Sequence, residues 1–184
     1  EHLSAFATLL GSGKSLGCQI TYRVQDEAGG IAQALGLASA FARDDKMCVI
    51  LGDNIFHDSL KSFADDFAKG QAKAKVILKK VTDPQRFGVA EVKNNSILSI
   101  VEKPTAPKSD LAVTGIYFYT PEVFDVIRKV KPSGRGEMEI TDVNNHYVQK
   151  NELSFNVFEN WWTDAGTFES LALADQLVRE KPPV

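Results

Sequence analysis

Hydrophobic positions recur along this chain at two periods, and their alternation predicts the elements. Leu3, Phe6, Ala7 and Leu10 fall at helical spacing until Gly11-Ser12-Gly13 closes the pattern, which predicts a short amphipathic helix. Cys18 to Val24 is β-rich and predicts a strand. The glycine-bearing loop Gln25 to Gly30 then leads into a helix with Ile31, Leu35, Ala38 and Phe41 on one face. Met47 to Leu51 is uninterrupted apolar sequence that stops at Gly52-Asp53-Asn54, as expected of a parallel strand buried on both faces. Leu60, Phe63, Ala64 and Phe67 mark a helix that ends near Gly70, and Ala74 to Val81 is the next strand. Helices and strands in this alternation predict a parallel sheet with helices on both faces.

From residue 83 the texture changes. Phe87–Val92 and Ile97–Val101 flank Lys93-Asn94-Asn95-Ser96, a spacing and composition that predict a hairpin and so a mixed sheet. Leu111 to Tyr119 is a further strand, running into Thr120-Pro121-Glu122, where an N-cap threonine, a first-position proline and a first-turn glutamate predict a helix start. Phe124, Ile127 and Val130 would face the core. The loop Lys131 to Gly136 precedes a helix that buries Ile140, Val143, Tyr147 and Val148. Leu153 to Phe158 is a strand, and Trp161 to Thr167 leads into a last helix carrying Leu171, Ala174, Leu177 and Val178. There is no internal repeat and no low-complexity stretch.

The length of 184 residues at 43% hydrophobic composition allows one sizeable core, so residues 1–184 are expected to form one domain or most of one. A net charge of −3 without a basic block argues against a nucleic-acid or membrane surface and leaves small molecules as the expected partners. Cys18 and Cys48 sit in apolar runs rather than in a paired spacing, which suits buried thiols in a reducing compartment. His2, His57 and His146 show no metal-ligand spacing. With no signal peptide and no long apolar span, the expected location is the cytoplasm.

Asp53 is the first candidate for chemistry. An aspartate at the carboxyl end of a buried strand is placed to hold a hard cation such as Mg2+ through oxygen, and through it a polyphosphate. The alternative is an ordinary strand-to-helix turn with Asp58 or Ser59 capping the next helix.

Further segments carry a resemblance. They are Tyr22-Arg-Val-Gln25 with Gly29-Gly30-Ile-Ala-Gln33-Ala34, Leu51-Gly-Asp-Asn-Ile-Phe56, and Asp83-Pro-Gln-Arg-Phe-Gly88-Val. After these come Val101-Glu-Lys-Pro104 running on to Val113-Thr-Gly-Ile-Tyr117-Phe-Tyr119, then Gly134-Arg-Gly-Glu-Met-Glu-Ile-Thr-Asp-Val143, and Trp162-Thr-Asp-Ala-Gly-Thr167. No one of them is decisive, but in this order they resemble the sugar-nucleotide pyrophosphorylases, and within them the glucose-1-phosphate thymidylyltransferases. The resemblance implies an α/β, Rossmann-like, three-layer nucleotide-diphospho-sugar transferase fold with a mixed, mainly parallel sheet. The implied reaction is attack of a glucose 1-phosphate oxygen on the α-phosphorus of dTTP, giving dTDP-glucose and pyrophosphate. Pyrophosphorylases that use UTP or another sugar phosphate differ by only a few contacts and stay open as alternatives.

By the same resemblance, Asp53 and Asp164 would hold Mg2+ between them. Lys103 and Arg135 would bind the sugar phosphate; taken alone, each is simply an exposed cation. Glu102 would accept hydrogen bonds from sugar hydroxyls, with Gly88, Val113 and Tyr117 lining the same pocket. Tyr117 reads equally as a core residue. Gln25 and Gly30 match the positions that recognise the base, although Gln25 could equally satisfy a turn. Trp162 would pack beside the sugar.

One departure stands out. The family opens with a strand and a glycine-rich loop that cradles the triphosphate, and Gly11-Ser-Gly-Lys14 does not match it. The chain is therefore expected to be an N-terminally incomplete domain, inactive with dTTP by itself and a homo-oligomer when full length. A non-catalytic sugar-nucleotide-binding module is the alternative of a different class.

Overall fold

The computed structural model describes residues 3–184, so His2 lies outside the described residues. In chain order the elements are α1 (Leu3–Leu10), α2 (Ile31–Gly36), α3 (Ser39–Ala42), β1 (Met47–Ile50), β2 (Asn54–Phe56), α4 (Lys61–Lys69), β3 (Ala74–Lys80), β4 (Gly88–Lys93) and β5 (Ser96–Glu102). These are followed by β6 (Leu111–Tyr119), α5 (Val123–Ile127), α6 (Ile140–Gln149), β7 (Leu153–Val157), β8 (Trp162–Asp164) and α7 (Phe168–Glu180).

The main sheet is built on β6, which is buried from Ala112 to Tyr119. One edge of β6 pairs along its length with β3, and β3 pairs in parallel with β7. The other edge is divided. β4 takes Ala112 and Val113, and β1 takes Ile116 to Tyr119, both antiparallel to β6. β5 completes the sheet as the hairpin partner of β4. Strands β1, β3, β4 and β7 therefore point one way and β5 and β6 the other, giving the mixed sheet that was expected, with β3 and β7 as its parallel pair. The hairpin turn is Asn94-Asn95, with φ of 50° and 59°, the left-handed pair that a tight two-residue connection demands and that Asn tolerates.

Alternate side chains of β3 and β6 enter two separate cores, as a pleated strand covered on both faces requires. Val76, Leu78, Tyr117 and Tyr119 pack with α2, α5 and α6 around Leu35, Phe124, Val143 and Tyr147. Ile77, Ile116 and Phe118 face the opposite way, toward Phe67 of α4, Phe158 and Trp162. Two lysines close this second layer. Lys46 donates to the α4 carbonyls of Phe67 and Ala68 and to that of Gly70 just past the helix (2.9, 3.0 and 3.3 Å), and the buried Lys75 reaches the Phe63 carbonyl at 3.2 Å and the Asp66 carboxylate. Helix α7 begins on a reciprocal cap between Thr167 and Ser170, with bonds of 3.0 and 3.1 Å.

Four expectations are corrected. β1 is not buried on both faces: Met47 and Val49 are half-buried, whereas Cys48 and Ile50 are exposed. β1 pairs only with β6 among the described residues, so one face and one edge stay uncovered, beside an apolar groove of about 620 Å³ lined by residues such as Leu35, Phe41 and Met47. Cys18 is exposed as well, so neither thiol is buried. Cys18 to Val24 forms no strand, because no ladder reaches it among the described residues, and β-propensity without a partner does not hold an extended conformation. The helix expected at Thr120 begins at Val123, after a turn closed by the Val123 amide on the Thr120 carbonyl (3.1 Å).

The Tyr119 hydroxyl donates to Asn144 Oδ1 at 2.6 Å between two fully buried side chains. Tyr119→Phe leaves that oxygen without a donor and should lower the unfolding free energy by about 1–3 kcal/mol in urea denaturation. An unchanged transition would show that the bond contributes nothing.

Candidate functional site

The divided edge of β6 sets the site. β1 ends opposite Ile116 and β4 begins opposite Val113, so the carboxyl end of one strand abuts the amino end of the other, and the Leu51 amide donates to the Gly115 carbonyl (2.8 Å) in between. A cavity of about 220 Å³ opens there, smaller than the roughly 300 Å³ at which drug-sized pockets begin and suited to a small polar molecule. Among the candidates, Asp53, Gly88, Glu102, Lys103, Val113, Tyr117, Trp162 and Asp164 all line it.

Asp53 and Asp164 are brought together by a two-stranded ribbon that sequence reasoning missed. β2 pairs antiparallel with β8 in the register Asn54↔Asp164, and the Ala165 amide donates to the Asp53 carbonyl at 2.7 Å. Gly166 then leaves open space between the carboxylates: a Cβ there would lie 3.6 Å from Asp53 Oδ2 and 3.7 Å from Asp164 Oδ2. Two carboxylates flanking one small void form an oxygen donor set that fits a divalent cation. No cluster of three or more His, Cys, Asp or Glu side chains placed to hold a metal occurs among the described residues. An ion here would be held by these two carboxylates.

Glu102 is oriented by Thr141, whose hydroxyl donates to Oε2 at 2.6 Å. Gly88 lies against this pair, and a Cβ there would sit 3.3 Å from Glu102 Oε2 and 3.4 Å from Thr141 Oγ1. Lys103 turns the chain out of β5 with φ of 43°, a conformation uncommon for a residue with a side chain. Its ammonium makes no ion pair among the described residues. Burial, with the carboxylates of Glu102 and Asp53 nearby, pushes the Tyr117 phenol well above its usual range, so it stays a neutral donor. Trp162 joins the second core and packs edge-on against Phe87, with centroids 5.4 Å apart.

Arg135, Gln25 and Gly30 do not line the cavity. Arg135 sits at its rim, forked onto Glu139 at 2.9–3.2 Å, with Glu137 at 3.6 Å and Glu102 Oε1 at 3.8 Å. Gln25 spends its amide on Gln33 Oε1 (2.6 Å) and the Gly30 carbonyl (3.3 Å), which is the turn-satisfying role. Gly30 has φ of 95°, and a Cβ would strike the Met138 carbonyl at 2.5 Å, so the packing of Met138 by itself requires glycine there.

Arg86 and Asn54 were not anticipated. Arg86 donates to Asp164 Oδ2 and Asp83 Oδ2, both at 2.9 Å. Asn54 donates to Asp53 Oδ1 and accepts from the Gly115 amide and from Trp162 Nε1, each at 2.8 Å. The only sequence signal for either was its place inside a quoted segment. Gly115→Ala would bring a methyl to 2.4 Å from Asn54 Nδ2 and 2.9 Å from Leu51 Cβ. The expected cost is about 1–3 kcal/mol of overpacking, reduced in an Asn54→Ala background. Thermal unfolding of the single and double variants measures both, and strictly additive effects would contradict the contact.

The family model described as nucleotidyl transferase matches residues 1–181 of this chain. The glucose-1-phosphate thymidylyltransferase of Neisseria meningitidis is 40% identical, over 97% of this chain and 64% of its own length. The low-salt glycan biosynthesis nucleotidyltransferase Agl11 of Haloferax volcanii is 39% identical, over 94% of this chain and 49% of its own. The chain thus spans between about half and two thirds of the length of these relatives. A Bacillus anthracis crystal structure assigned as a glucose-1-phosphate thymidylyltransferase superposes with a TM-score of 0.93 at 52% identity, covering 98% of this chain and 73% of that one. A UDP-glucose pyrophosphorylase complexed with UDP-glucose matches in fold, with a TM-score of 0.81 at 24% identity, covering 97% of this chain and 73% of that one.

Proposed function

Because the chain belongs to the nucleotidyl transferase family, we propose that it carries sugar-binding and metal-binding residues of a glucose-1-phosphate thymidylyltransferase, which forms dTDP-glucose and pyrophosphate from dTTP and glucose 1-phosphate. The observation that supports this most directly is the convergence of Asp53, Asp164, Glu102 and Lys103 on one cavity of sugar size. Cytoplasmic dTTP would supply the reaction, and a homo-oligomer is the expected assembly of the full-length protein.

In the proposed reaction a phosphate oxygen of glucose 1-phosphate forms a bond to the α-phosphorus of dTTP. The bond from that phosphorus to the oxygen bridging it to the β-phosphate breaks, and the electron pair leaves with pyrophosphate. Such a transfer needs position and charge neutralisation more than covalent help from the protein. Glu102, held by Thr141 at 2.6 Å, accepts hydrogen bonds from sugar hydroxyls. The neutral Tyr117 phenol faces the same group of carboxylates as a donor. Lys103 supplies a positive charge in the same cavity as Asp53, and Arg135 adds a second when it exchanges Glu139 for the sugar phosphate. A divalent cation bound by Asp53 and Asp164 would offset the charge of the nucleotide phosphates. Recognition of thymine over uracil is assigned to the segment of Gln25 and Gly30 that enters α2 beside the apolar groove.

The full-length gene product should release pyrophosphate from dTTP, glucose 1-phosphate and Mg2+, with a higher kcat/KM for dTTP than for UTP. A preference for UTP would replace this reading with a uridylyl transfer, and binding without turnover would favour a non-catalytic module. Asp53→Ala should abolish turnover while keeping the fold by circular dichroism. If the aspartate only closed a turn, the variant would instead lose about 1 kcal/mol of stability at unchanged turnover per folded molecule.

Arg135→Lys replaces a two-pronged guanidinium with a point charge. Calorimetry should find weaker binding of glucose 1-phosphate with dTTP affinity nearly unchanged. Equal losses for both ligands would point to a general folding defect.

A further inference from the structure

Asn54 directly follows the first candidate metal carboxylate, and its amide has one admissible orientation. Oδ1 lies 2.8 Å from the Gly115 amide and 2.8 Å from Trp162 Nε1. Both partners can only donate, so a flipped amide would turn its own N–H groups against two others. Nδ2 is thereby aimed at Asp53 and donates to Oδ1 at 2.8 Å. The second oxygen of that carboxylate, Oδ2, is the one 3.6 Å from the Cβ position of Gly166, on the side where Asp164 Oδ2 stands.

We propose that Asn54 is a positioning residue for the metal site: it holds Asp53 Oδ1 so that Oδ2 faces the void shared with Asp164. The inference rests on the reading of Asp53 and Asp164 as cation ligands. Its physical basis is that the amide is anchored on two elements at once. Gly115 belongs to the most deeply embedded strand, β6, and Trp162 opens β8, whose pairing with β2 brings Asp164 alongside. Gly115 also has to be glycine for the amide to lie this close, since a Cβ would come within 2.4 Å of Nδ2. With its anchors on β6 and β8 and its donor on Asp53, Asn54 fixes the direction of a carboxylate that would otherwise rotate about two side-chain torsions. Groups that orient metal ligands in this way typically govern ten- to hundredfold of the affinity.

The test is a Mn2+ titration of the full-length protein followed by electron paramagnetic resonance, without nucleotide, on wild type, Asn54→Ala, Asn54→Ser and Asp53→Asn. Asp53→Asn should lose the site, and Asn54→Ala should weaken Mn2+ binding ten- to hundredfold while circular dichroism reports a folded protein. Asn54→Ser guards against a folding failure, because its hydroxyl can still accept from the Gly115 amide but is too short to hold Asp53; it should show the same loss. Wild-type Mn2+ affinity in either folded Asn54 variant, with the site lost in Asp53→Asn, overturns the positioning role and leaves the metal reading standing. Wild-type affinity in Asp53→Asn overturns both. A purely structural Asn54 would lower the melting temperature and leave the Mn2+ affinity of the folded molecules unchanged.

Discussion

The division of one edge of β6 is the constraint on which the rest of the structure depends. A strand buried on both faces must pair its backbone on both sides, because an unpaired buried amide or carbonyl costs as much as a lost hydrogen bond. β3 satisfies one side along its length, whereas the other is split between β4 at Ala112 and Val113 and β1 from Ile116 onward. The split leaves a gap of two residues, Thr114 and Gly115. The gap is filled locally: Leu51 donates to the Gly115 carbonyl and Asn54 accepts from its amide. The cavity is the space left above that repair, and its floor is Val113, Gly115 and Tyr117. Gly115 serves both needs, since no side chain fits between β6 and Asn54.

The second consequence is that the site draws on distant parts of the chain. Trp162 Nε1 reaches Asn54 across 108 residues, and Thr141 reaches Glu102 across 39. Local pattern says nothing about such pairings. What is local was legible: the Asn94-Asn95 hairpin, the amphipathic α4, the turn into α7 and the strand β6. Met47–Leu51 shows the limit, because an apolar run reports a capacity for burial and cannot say which neighbours supply it. Cys18 to Val24 fails for the related reason that a strand is defined by its partner.

The candidate site was legible through the order of its segments more than through any residue. That order singled out Asp53, Glu102, Lys103 and Asp164, which the fold gathers into one cavity. It gave no sign that Met138 by itself requires glycine at position 30, and it passed over Arg86 and Asn54, whose importance lies in contacts with residues far along the chain. An arginine after Asp-Pro-Gln or an asparagine after Gly-Asp reads as turn chemistry until its partner is known.

Charge supplies the last step. Arg86 is committed to Asp164 and Asp83, and Arg135 to Glu139, so two guanidinium groups and their carboxylates already compensate one another around the cavity. Their side chains remain 42% and 45% exposed, so water screens these pairs and each contributes little to stability. Pairs of that kind are suited to exchange. A phosphate that draws Arg135 from Glu139, or a cation that takes Asp164 from Arg86, trades one partner for another of the same sign and leaves few charges stranded. Arg86 would then keep Asp83 as its partner. Lys103 differs, having no carboxylate to surrender among the described residues, and its strained backbone holds it at the cavity wall. It is the charge an incoming anion would meet without first breaking an ion pair.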